Sequence, residues 1–180
     1  MNVCARLTAV TMLLLALPVA HAAPRDGGTN LGTPTQNWDR NLPAATRFTV
    51  LAEFGGAAVR DNNTGLVWEQ APATSTTSWF PATQVCANQS VGGTSSWRLP
   101  SVHELNGVRD PSLPAPFVPA NIFTGVQGHD HANYWSASTR ADVPTEAWTV
   151  FFFNGIVSGA TKTSFYYIWC VRGPMNADQY

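Results

Sequence analysis

The sequence predicts an α+β domain, and three observations carry that reading. Two turn signals, Asp61-Asn62-Asn63-Thr64-Gly65 and Asn154-Gly155, each join runs rich in apolar and β-branched residues. Two short segments between them, Trp79 to about Asn88 and Ser101 to Gly107, carry helical spacing and helix-start residues. One cysteine, Cys86, falls on the first helix and another, Cys170, on the last strand, so one covalent bond can tie helix to strand.

The chain has 180 residues, enough for one domain of ordinary size. It opens on an export signal. Arg6 supplies the positive start, Leu7 to Ala20 is almost wholly apolar, and Ala20-His21-Ala22 is the small-x-small pattern that a signal peptidase reads. The apolar run falls short of the roughly 20 residues needed to span a bilayer. Residues 1–22 are therefore expected to be removed, and no later stretch reads as a membrane span. Residues 23–46, rich in Gly, Pro, Thr and Asn, read as a flexible leader, 47–174 as the domain and 175–180 as a tail.

Cys4 leaves with the signal and lies too early to carry a lipid, so Cys86 and Cys170 are the two cysteines left. In an exported chain two thiols read as one disulfide. A loop of that length is worth roughly 4 to 5 kcal/mol in chain-entropy bookkeeping.

Loss of Arg6 leaves nine Lys and Arg against eleven Asp and Glu, a net charge of −2. No basic run is present, which removes the electrostatic basis for binding nucleic acid. Few charges and seven Trp describe a packed domain, not a disordered chain.

Element by element, Phe48 to Leu51 reads as a first strand, and Ala57 to Arg60 with Leu66 to Glu69 as a hairpin whose Gly65 supplies the positive φ of a bulged turn. On the first helix Ser78 is the expected cap, with Trp79, Ala82, Val85 and Cys86 on one inward face. Ser101 and Glu104 have the spacing of a capping box, and Val102 and Leu105 face inward. Residues 109–133 form a long irregular stretch punctuated by Pro111, Pro114, Pro116 and Pro119. A loop of that length in a small domain is often functional. Strands follow at Tyr134 to Ser138, Glu146 to Phe153 and Ile156 to about Gly159, with Asn154-Gly155 as a two-residue turn. Phe165 to Arg172 alternates Phe165, Tyr167, Trp169 and Val171 against Tyr166, Ile168 and Cys170. Both sets are apolar, so it reads as one central strand covered on both sides.

Taken in order, Asp61-Asn62-Asn63-Thr64-Gly65-Leu66-Val67-Trp68, Cys86, Gly92-Gly93, Trp97-Arg98-Leu99-Pro100 with Glu104-Leu105, Tyr134-Trp135-Ser136-Ala137-Ser138 and Cys170-Val171-Arg172-Gly173 resemble the Lcl C-terminal domain family. The resemblance runs from about Arg47 to Gly173. It implies a C-type-lectin-like α+β fold, with two short helices packed on a twisted antiparallel sheet and a disulfide from the first helix to the last strand. The Arg-Leu-Pro-Ser-x-x-Glu stretch also looks like a motif of formylglycine-generating and sulfoxide-synthase enzymes of the same fold. The family's namesake is a bacterial adhesin domain that binds sulfated glycosaminoglycans. This chain departs from that pattern, because its single Lys, Lys162, and slightly acidic balance do not make a polyanion site.

Within Trp97-Arg98-Leu99-Pro100-Ser101 the expected role is structural, with Arg98 paired to Glu69 or Glu104. His129-Asp130-His131 is the one metal-like cluster, and a solvated loop is the favoured reading there. The C-type lectin sugar signatures that would hold calcium are not found. Ser136 and Ser138 have no paired base, and Cys86 and Cys170, once bonded, offer no thiol to a copper-type oxidoreductase. Trp135, Tyr134 and Phe123 border the long loop, with core packing as their default role.

The reading that follows is an exported, non-catalytic binding or adhesion module without cofactor. Its partner is a glycan or another cell-surface ligand, met through Arg109, Asp110, His129, Asp130, His131, Trp135 and Arg140 in and beside the 109–133 loop. An oxidoreductase of the formylglycine type and a purely structural envelope protein are the alternatives.

Overall fold

The structure, a computed structural model, describes residues 42–174. The expected signal segment, most of the leader and the tail lie outside these residues.

Residues 42–46, assigned above to the leader, already carry structure. Ala44–Arg47 form a helical turn, α1, which runs straight into strand β1, Phe48–Val50. Arg47 holds this entry. Its guanidinium donates to both oxygens of Asp61, at 3.1 and 2.7 Å, and to the Gly107 carbonyl at 2.6 Å. This buried pair was not anticipated from the sequence.

Two five-stranded sheets make the body, where the family resemblance implies one. The first has β1, β2 (Ala58–Asp61), β3 (Val67–Glu69), β10 (Val171–Arg172) and β5 (Trp97–Arg98) in that spatial order, all antiparallel. The second has β4 (Thr76–Thr77), β9 (Tyr166–Tyr167), β6 (Asn133–Thr139), β7 (Glu146–Phe151) and β8 (Val157–Thr161). It is antiparallel except for one parallel bridge, Tyr134 to Tyr167.

The segment read as one strand from Phe165 to Arg172 is therefore two. β9 pairs in the second sheet, Ile168 to Cys170 leave the ladder, and β10 pairs in the first. The alternation survives the crossing. Tyr167, Trp169 and Val171 pack in one core cluster with Trp68, Tyr134 and Phe152, while Tyr166, Ile168 and Cys170 pack in the other with Trp97, Trp135 and Ala82. Only Phe165 breaks the pattern, at 65% exposed, because it precedes the first paired residue.

Helix α2 spans Trp79–Asn88 and buries Ala82 and Cys86. Ser78 is its N-cap residue but makes no side-chain cap. Pro81, three residues into the helix, has no N–H to donate, which removes one of the two donors that such a cap uses. The first helical N–H, on Trp79, goes instead to the Lys162 carbonyl at 3.0 Å. Val85, placed on the inward face from sequence, is exposed. The disulfide forms between Cys86 and Cys170, with Cα atoms 5.4 Å apart. Beside it, the buried Glu69 carboxylate accepts from the Cys170 N–H at 2.9 Å and from Gln89, at the end of α2, at 2.5 Å.

Helix α3, Val102–Gly107, opens on a complete capping box. Ser101 Oγ accepts from the Glu104 N–H, and the Glu104 carboxylate accepts from the Ser101 N–H. Arg98 settles on Glu104, not Glu69, with two bonds of 2.8 Å. Its Nε donates to the Gly173 carbonyl, so the stretch before α3 is fastened to the end of the domain.

Both hairpins share one loop form. Asp61 N–H donates to Leu66 and Gly65 N–H back to Asp61; Phe151 N–H donates to Ile156 and Gly155 N–H back to Phe151. Each loop thus has four residues closed by a glycine at positive φ, 76° and 81°. The second hairpin was expected as a two-residue turn at Asn154-Gly155. The bond between Phe151 and Ile156 sets the loop at 152–155.

Candidate ligand-binding loop

Residues 109–132 leave α3 and return to β6 without regular structure, and Asn133 already belongs to the strand, yet the scaffold holds the segment closely. Val118 and Phe123 are buried in the core cluster around Trp169, with Phe123 edge-on to Trp169 at 5.2 Å and to Phe48 at 5.0 Å. Thr124 N–H donates to the Gln70 carbonyl, and Gln127 N–H to the Tyr134 hydroxyl at 2.7 Å. Burial pushes that Tyr134 hydroxyl well above the ordinary phenol value, so it stays protonated. Within the loop, Asp110 N–H bonds to the Phe117 carbonyl and Phe117 N–H to Pro114. Gly128 lies so close to Pro116 that a side chain would meet the ring at 2.8 Å.

The prolines and aliphatics of this segment enclose a depression of about 550 Å³, lined among others by Leu113, Pro114, Pro116, Val118, Pro119 and Ile122. Asn121 is its polar member. The concavity is thus apolar and carries no charged side chain in its lining. The sequence signal for it was the cluster of prolines, which was read as marking a loop and not as a wall.

The residues singled out from sequence do not converge on it. Arg109 is turned onto the second hairpin: it donates to the Gly155 carbonyl at 3.1 Å and to Asn106, and its guanidinium lies 4.9 Å from the Phe117 ring centre. Burial lowers its pKa. Asp110 accepts from the Ser112 hydroxyl and N–H, which hold its carboxyl below the usual range. Arg140 sits between Asp142 and Glu146, at 2.5 and 2.9 Å, over the Trp148 ring and against Gly159. The first of these bonds raises its pKa, and none of these partners lies in the 109–133 segment.

Trp135 is a correction. Expected as a ligand contact, it is wholly buried, donates its indole N–H to the Thr77 carbonyl at 2.8 Å, and packs on Tyr166. Tyr134 and Phe123 are likewise core residues.

The two histidines of the loop have different neighbours. His129 lies beside Tyr167, with Nε2 3.3 Å from its hydroxyl, and its Nδ1 meets the Asp130 carbonyl. His131 and Asp130 approach only to 3.7 Å, with side chains 91% and 74% exposed. Among the described residues, no three His, Cys, Asp or Glu side chains lie together as metal ligands.

Fold and loop together define a disulfide-bonded α+β domain that presents one firmly held irregular segment. The Lcl C-terminal domain matches residues 57–172, and the chain belongs to that family. No curated protein matches it in sequence. Among the described residues no helix is long and apolar enough to cross a membrane.

Proposed function

We propose that this chain is an exported, non-catalytic binding or adhesion module of C-type-lectin-like fold, and that its ligand seats in the apolar depression of the 109–133 loop. The observation that carries the reading is the loop's construction. A concavity walled by Leu113, Pro114, Pro116 and Ile122 is held in place by the buried anchors Val118 and Phe123. Rigid anchoring lowers the entropy lost on binding. Membership of the Lcl C-terminal family supports an adhesion-type role.

The lining also narrows the ligand class. A wall without cations, in a chain whose Arg109 and Arg140 are already engaged by Gly155, Asp142 and Glu146, favours the apolar face of an uncharged glycan or surface ligand over a sulfated chain. The bonded state of Cys86 and Cys170 supports the non-catalytic reading over the copper-type oxidoreductase, which uses free thiols.

A glycan array probed with the exported protein at low and high salt tests this. The expected result is binding to uncharged glycans that survives high salt, is lost in Leu113→Asp and persists in Arg140→Ala. An array without signal at either salt concentration counts against the reading. Binding only to sulfated glycans, abolished by salt, would transfer the site to the arginines.

A further inference from the structure

Strand β8 forms one margin of the second sheet, and among the described residues it pairs only with β7. The bonds from Phe151 N–H to the Ile156 carbonyl and from Lys162 N–H to the Thr145 carbonyl fix its phase. In an antiparallel ladder the residues that bond inward alternate with those that face outward. Ile156, Ser158, Ala160 and Lys162 therefore bond toward β7. Val157, Gly159 and Thr161 turn their N–H and C=O groups away from the sheet. Of these, the Thr161 carbonyl accepts from Ser164, and the others have no partner among the described residues.

Exposed edges are normally blunted by brevity, charge, proline or a bulge. The other margins, β1, β4 and β5, are three, two and two residues long. β8 is five residues, in unbroken register with β7, and reads Val-Ser-Gly-Ala-Thr with neither charge nor proline. Two cations lie near it: Arg140, which lies against Gly159 and is held by Asp142 and Glu146, and Lys162, which does not guard the edge either. Its ammonium donates back to Thr139 and the Pro144 carbonyl and lies 4.1 Å from the centre of the Trp79 ring. Val157, Ser158 and Thr161 are exposed, so the strand projects beyond the core.

We infer that β8 is a self-association edge, on which a second copy of this chain adds its own β8 antiparallel about a two-fold axis at Gly159. The outward groups are symmetric about that residue. With Gly159 opposite Gly159, each Val157 faces Thr161 of the other copy, and every outward N–H meets an outward carbonyl. The strand's own side chains carry no charge, and the Arg140 guanidinium lying against Gly159 is held by Asp142 and Glu146, so β8 brings no unpaired cation to the axis. The contact is small and mostly backbone, which sets a weak, concentration-dependent dimer.

Sedimentation of the exported protein over a concentration series should show the mass rising from one chain toward two. V157K/T161K places like charges opposite each other across the axis, as does V157E/T161E. Each variant alone should stay at the mass of one chain, and an equimolar mixture of the two should regain the two-chain species. In the unmodified protein, amide exchange at Val157, Gly159 and Thr161 should slow as concentration rises. This second readout holds even if the charged variants fold poorly. A protein that stays monomeric at every concentration, with those three amides unprotected throughout, overturns the proposal. So does a dimer that both charged variants retain; in either case the edge is open to a foreign strand or to none.

Discussion

Arg98 grips Glu104 through two parallel N–H···O bonds of 2.8 Å each, while the same carboxylate caps α3 through the Ser101 N–H. One acid thus answers to a guanidinium and to a helix start. Glu104 is nearly buried, and Arg98 keeps about a fifth of its side-chain surface in water.

Removing the cation strands a buried carboxylate. Arg98→Ala should destabilise the fold by roughly 2 to 3 kcal/mol, below the ~3 to 5 kcal/mol of a fully buried pair. Arg98→Lys should recover only part of that, because an ammonium cannot make the paired fork. Ser101→Ala should cost about 1 kcal/mol through the lost cap. Urea denaturation with an unchanged slope would verify all three, and a stable Arg98→Ala would mean that the pair holds nothing together.

The bond between Cys86 and Cys170 should be present in the exported protein. Thiol titration of the chain from residue 23 onward should find no free thiol before reduction and two after it. The double substitution of both cysteines by Ala should cost roughly 2 to 5 kcal/mol. Two reactive thiols in the native protein would remove the covalent tie and reopen redox chemistry at these residues.

Glu69 should make stability depend on pH in a defined direction. Burial raises its pKa above the ordinary 4.5, against the opposing hydrogen bonds from Cys170 and Gln89. The folded state therefore holds the proton more tightly than the unfolded chain does. That contribution is fully present below pH 4.5 and is lost as pH rises through the folded value. Glu69→Gln keeps an acceptor for the Cys170 N–H but cannot ionise. The stability difference between the variant and the unmodified protein should shift in the variant's favour as pH rises from 4 to 7. Denaturation midpoints at several pH values would show this, and a constant difference would refute it.

Gly155 and Gly125 share a left-handed backbone, at φ 81° and 73°, but differ in their surroundings. A side chain at Gly155 would meet the Arg109 guanidinium at 1.9 Å, whereas at Gly125 it would meet nothing within 4 Å. Gly125→Ala should thus cost only the conformational penalty, about 1 to 2 kcal/mol. Gly155→Ala should cost more, and the excess should vanish in an Arg109→Ala background. A double-mutant cycle measures that coupling.

Much of the fold was legible in the residues themselves. The helix at Trp79–Asn88, the capping box, the hairpin positions and the alternation from Tyr166 to Val171 all depend on local spacing, which a sequence displays directly. Two thiols were enough to foresee the bond between helix and final strand.

Partner choice over distance was decided only by the tertiary structure. Glu69 and Glu104 were equal candidates for Arg98 until packing placed Glu69 against Cys170. The long terminal strand was split because Ile168 to Cys170 cross from one sheet to the other, a path that alternation does not encode. Trp135, named both as a ligand candidate and as a core residue by default, went to the core, and the prolines that marked the loop form the wall of its depression. Periodicity states which side of an element a residue takes. Whether that side faces the core or the solvent depends on what the rest of the chain lays against it.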